Sequence, residues 1–134
     1  MNTSTQGCIA ENRFKVIALS LEIPIYEPVV DICGADFIIK QGDRFVKIQV
    51  KSTLTKASGR NSYKVTVQRG ASNVKYPKNS FDVAALYIFE LDLWYFIPLS
   101  AINACGVRVN PLKETCKWNQ YKENYSYIVE GEQV

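Results

Sequence analysis

Apolar side chains recur at three- and four-residue spacing through Ala10, Phe14, Ile17, Ala18 and Leu21, and Pro24 follows. That period predicts an amphipathic helix over residues 7–22, ended by the proline. Glu11 borders the apolar stripe, so its carboxylate is expected at the edge of the buried face. Further on the period changes to two. Residues 25–30 read as a short strand, 35–40 as a second that begins near Asp36, and 44–53 as a third after the turn Gln41-Gly42-Asp43. In the third, Val46, Ile48 and Val50 share the face expected to be buried, and Phe45, Lys47, Gln49 and Lys51 share the other.

Residues 54–62 read as a polar loop around Gly59, 63–68 as a strand, and 70–80 as a loop holding Tyr76, Pro77 and Lys78. The apolar run 81–89 returns through a turn at 90–92 into 93–97, which predicts a hairpin whose first strand is central. Pro98 opens a short helix over 98–104. From residue 107 onward the pattern assigns no element, although Trp118, Tyr121, Tyr125 and Tyr127 are expected to pack on the core. Together these elements predict a mixed α/β (α+β) fold, a central mixed sheet flanked by helices.

With 134 residues, 47% of them hydrophobic and 22% charged, the chain has the size and balance of one globular domain, 1–134. It contains no histidine. Histidine is the usual general base near neutral pH and the commonest zinc ligand, so Ser-His-Asp, Cys-His and His-liganded zinc mechanisms are all excluded. Catalysis must rest on carboxylates, lysine, amides, hydroxyls or a hard metal ion. Cys8, Cys33, Cys105 and Cys116 are too scattered for a metal knuckle and are expected as reduced core thiols. Neither a leader pattern nor an apolar run of membrane-spanning length occurs, which points to a reducing cytoplasm and no membrane partner.

The net charge of +3 conceals an asymmetry. Lys51, Lys56, Arg60, Lys64, Arg69, Lys75 and Lys78 lie in a stretch, 51–81, with no Asp or Glu, and the rest of the chain is net acidic. A polyanion is the partner such a block fits, although a solvated basic hairpin has the same composition.

An antiparallel hairpin would bring Asp36 beside Gln49 and Lys51, and a first helix packed across that same face would add Glu11. Phosphodiester hydrolysis uses such a set: hard oxygen ligands for Mg²⁺, an activated water, and a cation against the charge that develops on phosphorus. Each residue also has a plainer use, Glu11 as a first-turn carboxylate and Lys51 as a guard against edge pairing among them.

Glu11, Asp36, Gln49 and Lys51, in the order helix, strand, turn, strand, resemble the pattern of the PD-(D/E)XK nuclease superfamily. The segments Gly-Ala-Asp-Phe-Ile-Ile and Lys-Ile-Gln-Val-Lys-Ser, with the later hairpin, are most similar to its small single-domain branch, over residues 7 to about 100. That branch includes Holliday-junction-resolvase-like enzymes and a cyanobacterial intron-encoded homing endonuclease. Two departures stand out: Ala35 replaces the proline that usually precedes the strand aspartate, and Gln49 replaces an acid.

The resemblance implies a restriction-endonuclease-like core and a Mg²⁺-dependent (or Mn²⁺-dependent), sequence-specific endonuclease of homing or restriction type, acting on double-stranded DNA as a homodimer or homotetramer. It implies Glu11, Asp36, Gln49 and Lys51 as catalytic residues, the first three at the metal. Ser52, Lys56, Arg60, Lys64, Gln68, Arg69, Lys75 and Lys78 are the expected DNA contacts. Two alternatives remain at this stage, a Holliday-junction resolvase and a non-catalytic DNA-binding module in which Gln49 marks a degenerate metal site.

Overall fold

Helix α1 (Thr3–Ser20) starts about two turns before its apolar stripe because Asn2 caps it, its Oδ1 accepting the Thr5 N–H at 2.8 Å. In the computed structural model, which describes residues 1–30, 34–57, 59–68 and 76–129, the helix also stops earlier than its apolar spacing suggests. Glu22 takes a left-handed φ of 57°, and the N–H groups of Glu22 and Ile23 bond back to Leu19 and Ala18. These two bonds form a Schellman motif, which satisfies the last carbonyls without a glycine. Leu21 is therefore exposed, while Ala10, Phe14 and Ala18 are buried.

Strands β1 (Ile25–Tyr26), β2 (Phe37–Gln41), β3 (Arg44–Thr53), β5 (Val83–Ile88) and β6 (Leu93–Pro98) form one sheet in the order β1-β2-β3-β5-β6. β4 (Tyr63–Thr66) and β7 (Gly106–Val109) form a separate antiparallel ribbon. β2 and β3 are joined by Gly42 and Asp43, with Gly42 at φ 58°, the left-handed value a tight hairpin asks of its first turn residue. β3 and β5 run parallel, so the chain between them must cross over, and that crossover is the basic stretch with β4. β5 is buried on both faces between β3 and β6, as its unbroken apolar run requires.

Phe14 of α1 stacks on Phe37 at 5.6 Å and meets Trp94 and Phe96 edge-on at 5.9 and 6.5 Å. Register carries this face across the sheet from Phe37 to Ile48 and Val83. The helix thus covers the face of Val46, Ile48 and Val50. The apolar side of the ribbon, Tyr63, Val65, Val107 and Val109, joins the same core. The tail returns to it through a 3₁₀ turn (Lys117–Tyr121) and α2 (Ser126–Val129), which bury Trp118, Tyr121 and Tyr127.

Several expectations shorten. The strand over 25–30 contracts to two residues, that over 63–68 to four, and the helix over 98–104 to a 3₁₀ turn at Leu99–Ala101. Cys8, Cys105 and Cys116 are in no disulfide; Cys116 packs partly buried against the core, but Cys8 is exposed and Cys105 only half-buried, which corrects the core assignment for those two, and Cys33 lies outside the described residues. Among the described residues no helix is long and apolar enough to cross a membrane.

Candidate active site

β2 begins at Phe37, opposite Ile48, so β3 runs on past the end of its neighbour. Asp36 occupies that gap. Its N–H donates to the Ile48 carbonyl at 2.8 Å, and its Oδ2 accepts the Val50 N–H at 2.8 Å. A side-chain oxygen replaces the backbone acceptor that a longer β2 would have supplied. The bond also fixes the carboxylate's orientation, and since a carboxylate presents about four acceptor positions, this is compatible with metal ligation.

Alternation along β3 places Gln49 and Lys51 on the face opposite Val50, both half-buried. Their register partners on β5 are Ala84 and Leu86, and the alanine leaves room beside Gln49. The Lys51 Nζ lies 5.5 Å from the centroid of the Tyr76 ring.

Glu11 arrives differently from the expectation that its helix would cover this face. α1 lies on the other side of the sheet, and the Gln6 Nε2 donates to the Ser52 Oγ at 3.0 Å. Gln6 and Phe14 therefore bracket Glu11 above the second half of β3. The Asp36 carboxylate is tied to β3 at Val50, the residue between Gln49 and Lys51, while half-buried Glu11 belongs to the helix on the other side of the sheet. The geometric reason is that the apolar stripe of α1 must bury against the Val-Ile-Val face, which leaves the polar face of β3 uncovered by the helix.

No group of three or more Asp, Glu, Cys or His side chains that would hold a metal gathers among the described residues. The expected donors, the carboxylates of Asp36 and Glu11 and the Gln49 amide oxygen, are all hard oxygens, which suit Mg²⁺ or Mn²⁺ better than zinc.

Of the other expected contacts, Lys56, Arg60, Lys64 and Lys78 are exposed and Gln68 is half-buried. Ser52 is bonded on the α1 side, and Arg69 and Lys75 lie outside the described residues. The structure adds Arg108. It stands directly opposite Lys64 in the ribbon, exposed, its guanidinium donating to the Ser62 Oγ at 3.2 Å. Its signal in the sequence is the alternation Val107-Arg108-Val109, which mirrors Lys64-Val65. Asp82 was also missed. Its Oδ2 accepts the Lys47 N–H at 2.9 Å, so carboxylates cap β3 from both sides, Asp36 at Val50 and Asp82 at Lys47.

A family model described as PD-(D/E)XK endonuclease matches residues 1–128. Among solved structures, the fold is similar to that of a bacterial homing endonuclease, I-Ssp6803I, with a TM-score of 0.84 and 23% identity, covering 98% of this chain and 95% of that one. Comparison with curated protein sequences gives no match.

Proposed function

The chain belongs to the PD-(D/E)XK endonuclease family and is a nuclease, and from that premise we propose a Mg²⁺-dependent enzyme that cuts double-stranded DNA at a specific sequence, in the manner of a homing or restriction endonuclease. The observation that carries this reading is the bond of the Asp36 carboxylate to the N–H of Val50, the residue between Gln49 and Lys51, where β3 outruns β2.

Nucleases of this family typically use a divalent metal ion. Asp36 would hold it with its carboxylate and Gln49 with its amide oxygen, the Glu11 carboxylate would act from the helix side through water, and Mn²⁺ would be accepted in place of Mg²⁺. When bound, such an ion polarises the phosphate and lowers the pKa of a water. Lys51 brings a positive charge to the face of Asp36 and Gln49, where it orients the attacking water or stabilises charge that develops on the phosphate oxygens. Gln49 contributes no charge, so metal affinity rests on the two carboxylates.

The DNA surface on this reading comprises the basic crossover and Arg108. Like charges directly opposite one another in a ribbon are destabilising, and a bound polyanion relieves the opposition of Lys64 and Arg108. If Arg108 and the six cations of the basic stretch other than Lys51 each neutralise a phosphate, the log–log salt slope of binding is about −6 per subunit. Cleavage of both strands is most simply done by two subunits related by symmetry, hence a homodimer or homotetramer. The reduced cysteines fit a reducing cytoplasm.

The test is digestion of a pool containing host genomic DNA and a synthetic four-way junction in Mg²⁺. Discrete genomic fragments are expected. Selective cutting of the junction would move the assignment to a resolvase, and binding without cutting would leave a DNA-binding module.

A further inference from the structure

We propose that Tyr76 is a positioning residue for Lys51, a role that rests on the nuclease reading above. The Lys51 Nζ stands 5.5 Å from the Tyr76 ring centroid, within cation–π reach. An ammonium on a four-carbon stem is otherwise free to sample many rotamers, so an aromatic face beside it narrows where the charge is held.

The ring is itself fixed. Tyr76 meets the buried Phe81 edge-on at 4.9 Å. The segment between them is sewn to β3, with the Lys47 Nζ donating to the Asn79 carbonyl at 2.6 Å and the Asp82 Oδ2 accepting the Lys47 N–H at 2.9 Å. On its other flank it touches the approach to Asp36: a Cβ on Gly34 would lie 2.9 Å from the Ser80 Cβ, closer than van der Waals contact between the two segments allows. Gly34 is thus needed for close approach. One short segment therefore abuts the residues leading to Asp36 and sets an aromatic ring against Lys51.

Three variants test this. With Lys51 labelled at its ε-carbon, the ε-methylene protons should show an upfield ring-current shift in the parent and in Tyr76→Phe, and lose it in Tyr76→Leu. The kcat of DNA cleavage should fall about three- to tenfold in Tyr76→Leu with KM unchanged, the scale of a part-desolvated cation–π contact, and Tyr76→Phe should restore it. Full activity in Tyr76→Leu, with Lys51→Ala inactive, would overturn the role of Tyr76 and leave the nuclease reading intact. A rise in KM alone would make Tyr76 a DNA contact instead. If Lys51→Ala cut at the parent rate, the lysine assignment and this proposal would both fall.

Discussion

The Asp36 carboxylate accepts the backbone N–H of Val50, and Val50 stands between Gln49 and Lys51. One hydrogen bond at 2.8 Å therefore ties the candidate metal-holding acid to the strand that carries the other two groups, without calling on either side chain.

Replacement of Asp36 separates its two uses. Asp36→Asn keeps an oxygen that can accept the Val50 N–H, so the melting temperature should hardly change while cleavage is lost. Asp36→Ala removes the acceptor as well and should cost about 1–3 kcal/mol in urea unfolding.

Gln49 supplies an oxygen without charge. Gln49→Glu should lower the Mg²⁺ concentration for half-maximal cleavage about tenfold, because a charged hard ligand binds the ion more strongly. An unchanged or higher Mg²⁺ requirement would remove Gln49 from the metal site.

In the ribbon, Lys64→Gln and Arg108→Gln should each reduce the salt slope of DNA binding by about one. Each should also raise thermal stability slightly in the absence of DNA, since either relieves like charges in direct opposition. Fluorescence anisotropy across a salt series, paired with melting curves, checks both effects.

How much of this was visible in the sequence differs by element. β3 was legible to the residue, because Val46, Ile48 and Val50 alternate cleanly with Lys47, Gln49 and Lys51. The hairpin of β5 and β6 was legible for its apolar run. The helix was found, but its ends were set by Asn2 and Glu22 through capping bonds that hydrophobic spacing does not encode. The side of the sheet on which α1 lies was also not legible, since local periodicity shows which face of each element is apolar but not which faces meet. Arg108 was overlooked because it lies outside the basic stretch and reaches Lys64 only through a pairing between distant strands. The tail was opaque, because its burial depends on irregular turns around Trp118 and Tyr121.

Alkaline pH should weaken the fold. Tyr63, Tyr87, Tyr95 and Tyr125 all titrate above the ordinary phenol value, first because burial disfavours the phenolate, and next because of Glu90, Asp92, Cys116 and Glu123 respectively. Arg13 partly offsets this at Tyr87. A phenol with a raised folded pKa contributes stability that is complete below the unfolded value and is lost as pH rises through the folded one. The urea midpoint, as far as these tyrosines set it, should therefore hold to about pH 9 and fall above about pH 10. Among the described residues the Tyr95 hydroxyl is buried with no hydrogen-bond partner. Tyr95→Phe should accordingly raise stability at neutral pH by up to about 1 kcal/mol and reduce the alkaline loss.

The most direct measurement is strand cleavage of a target duplex in Mg²⁺ by the parent, Asp36→Asn and Lys51→Ala, with DNA affinity measured alongside in Ca²⁺. The expected result is that the parent cuts while both variants bind within about threefold of it and leave the duplex whole, because the reacting groups are distinct from the phosphate-binding cations. Parent-like cutting by either variant would contradict the active site assigned to Asp36, Gln49 and Lys51, and so would equal loss of binding in both.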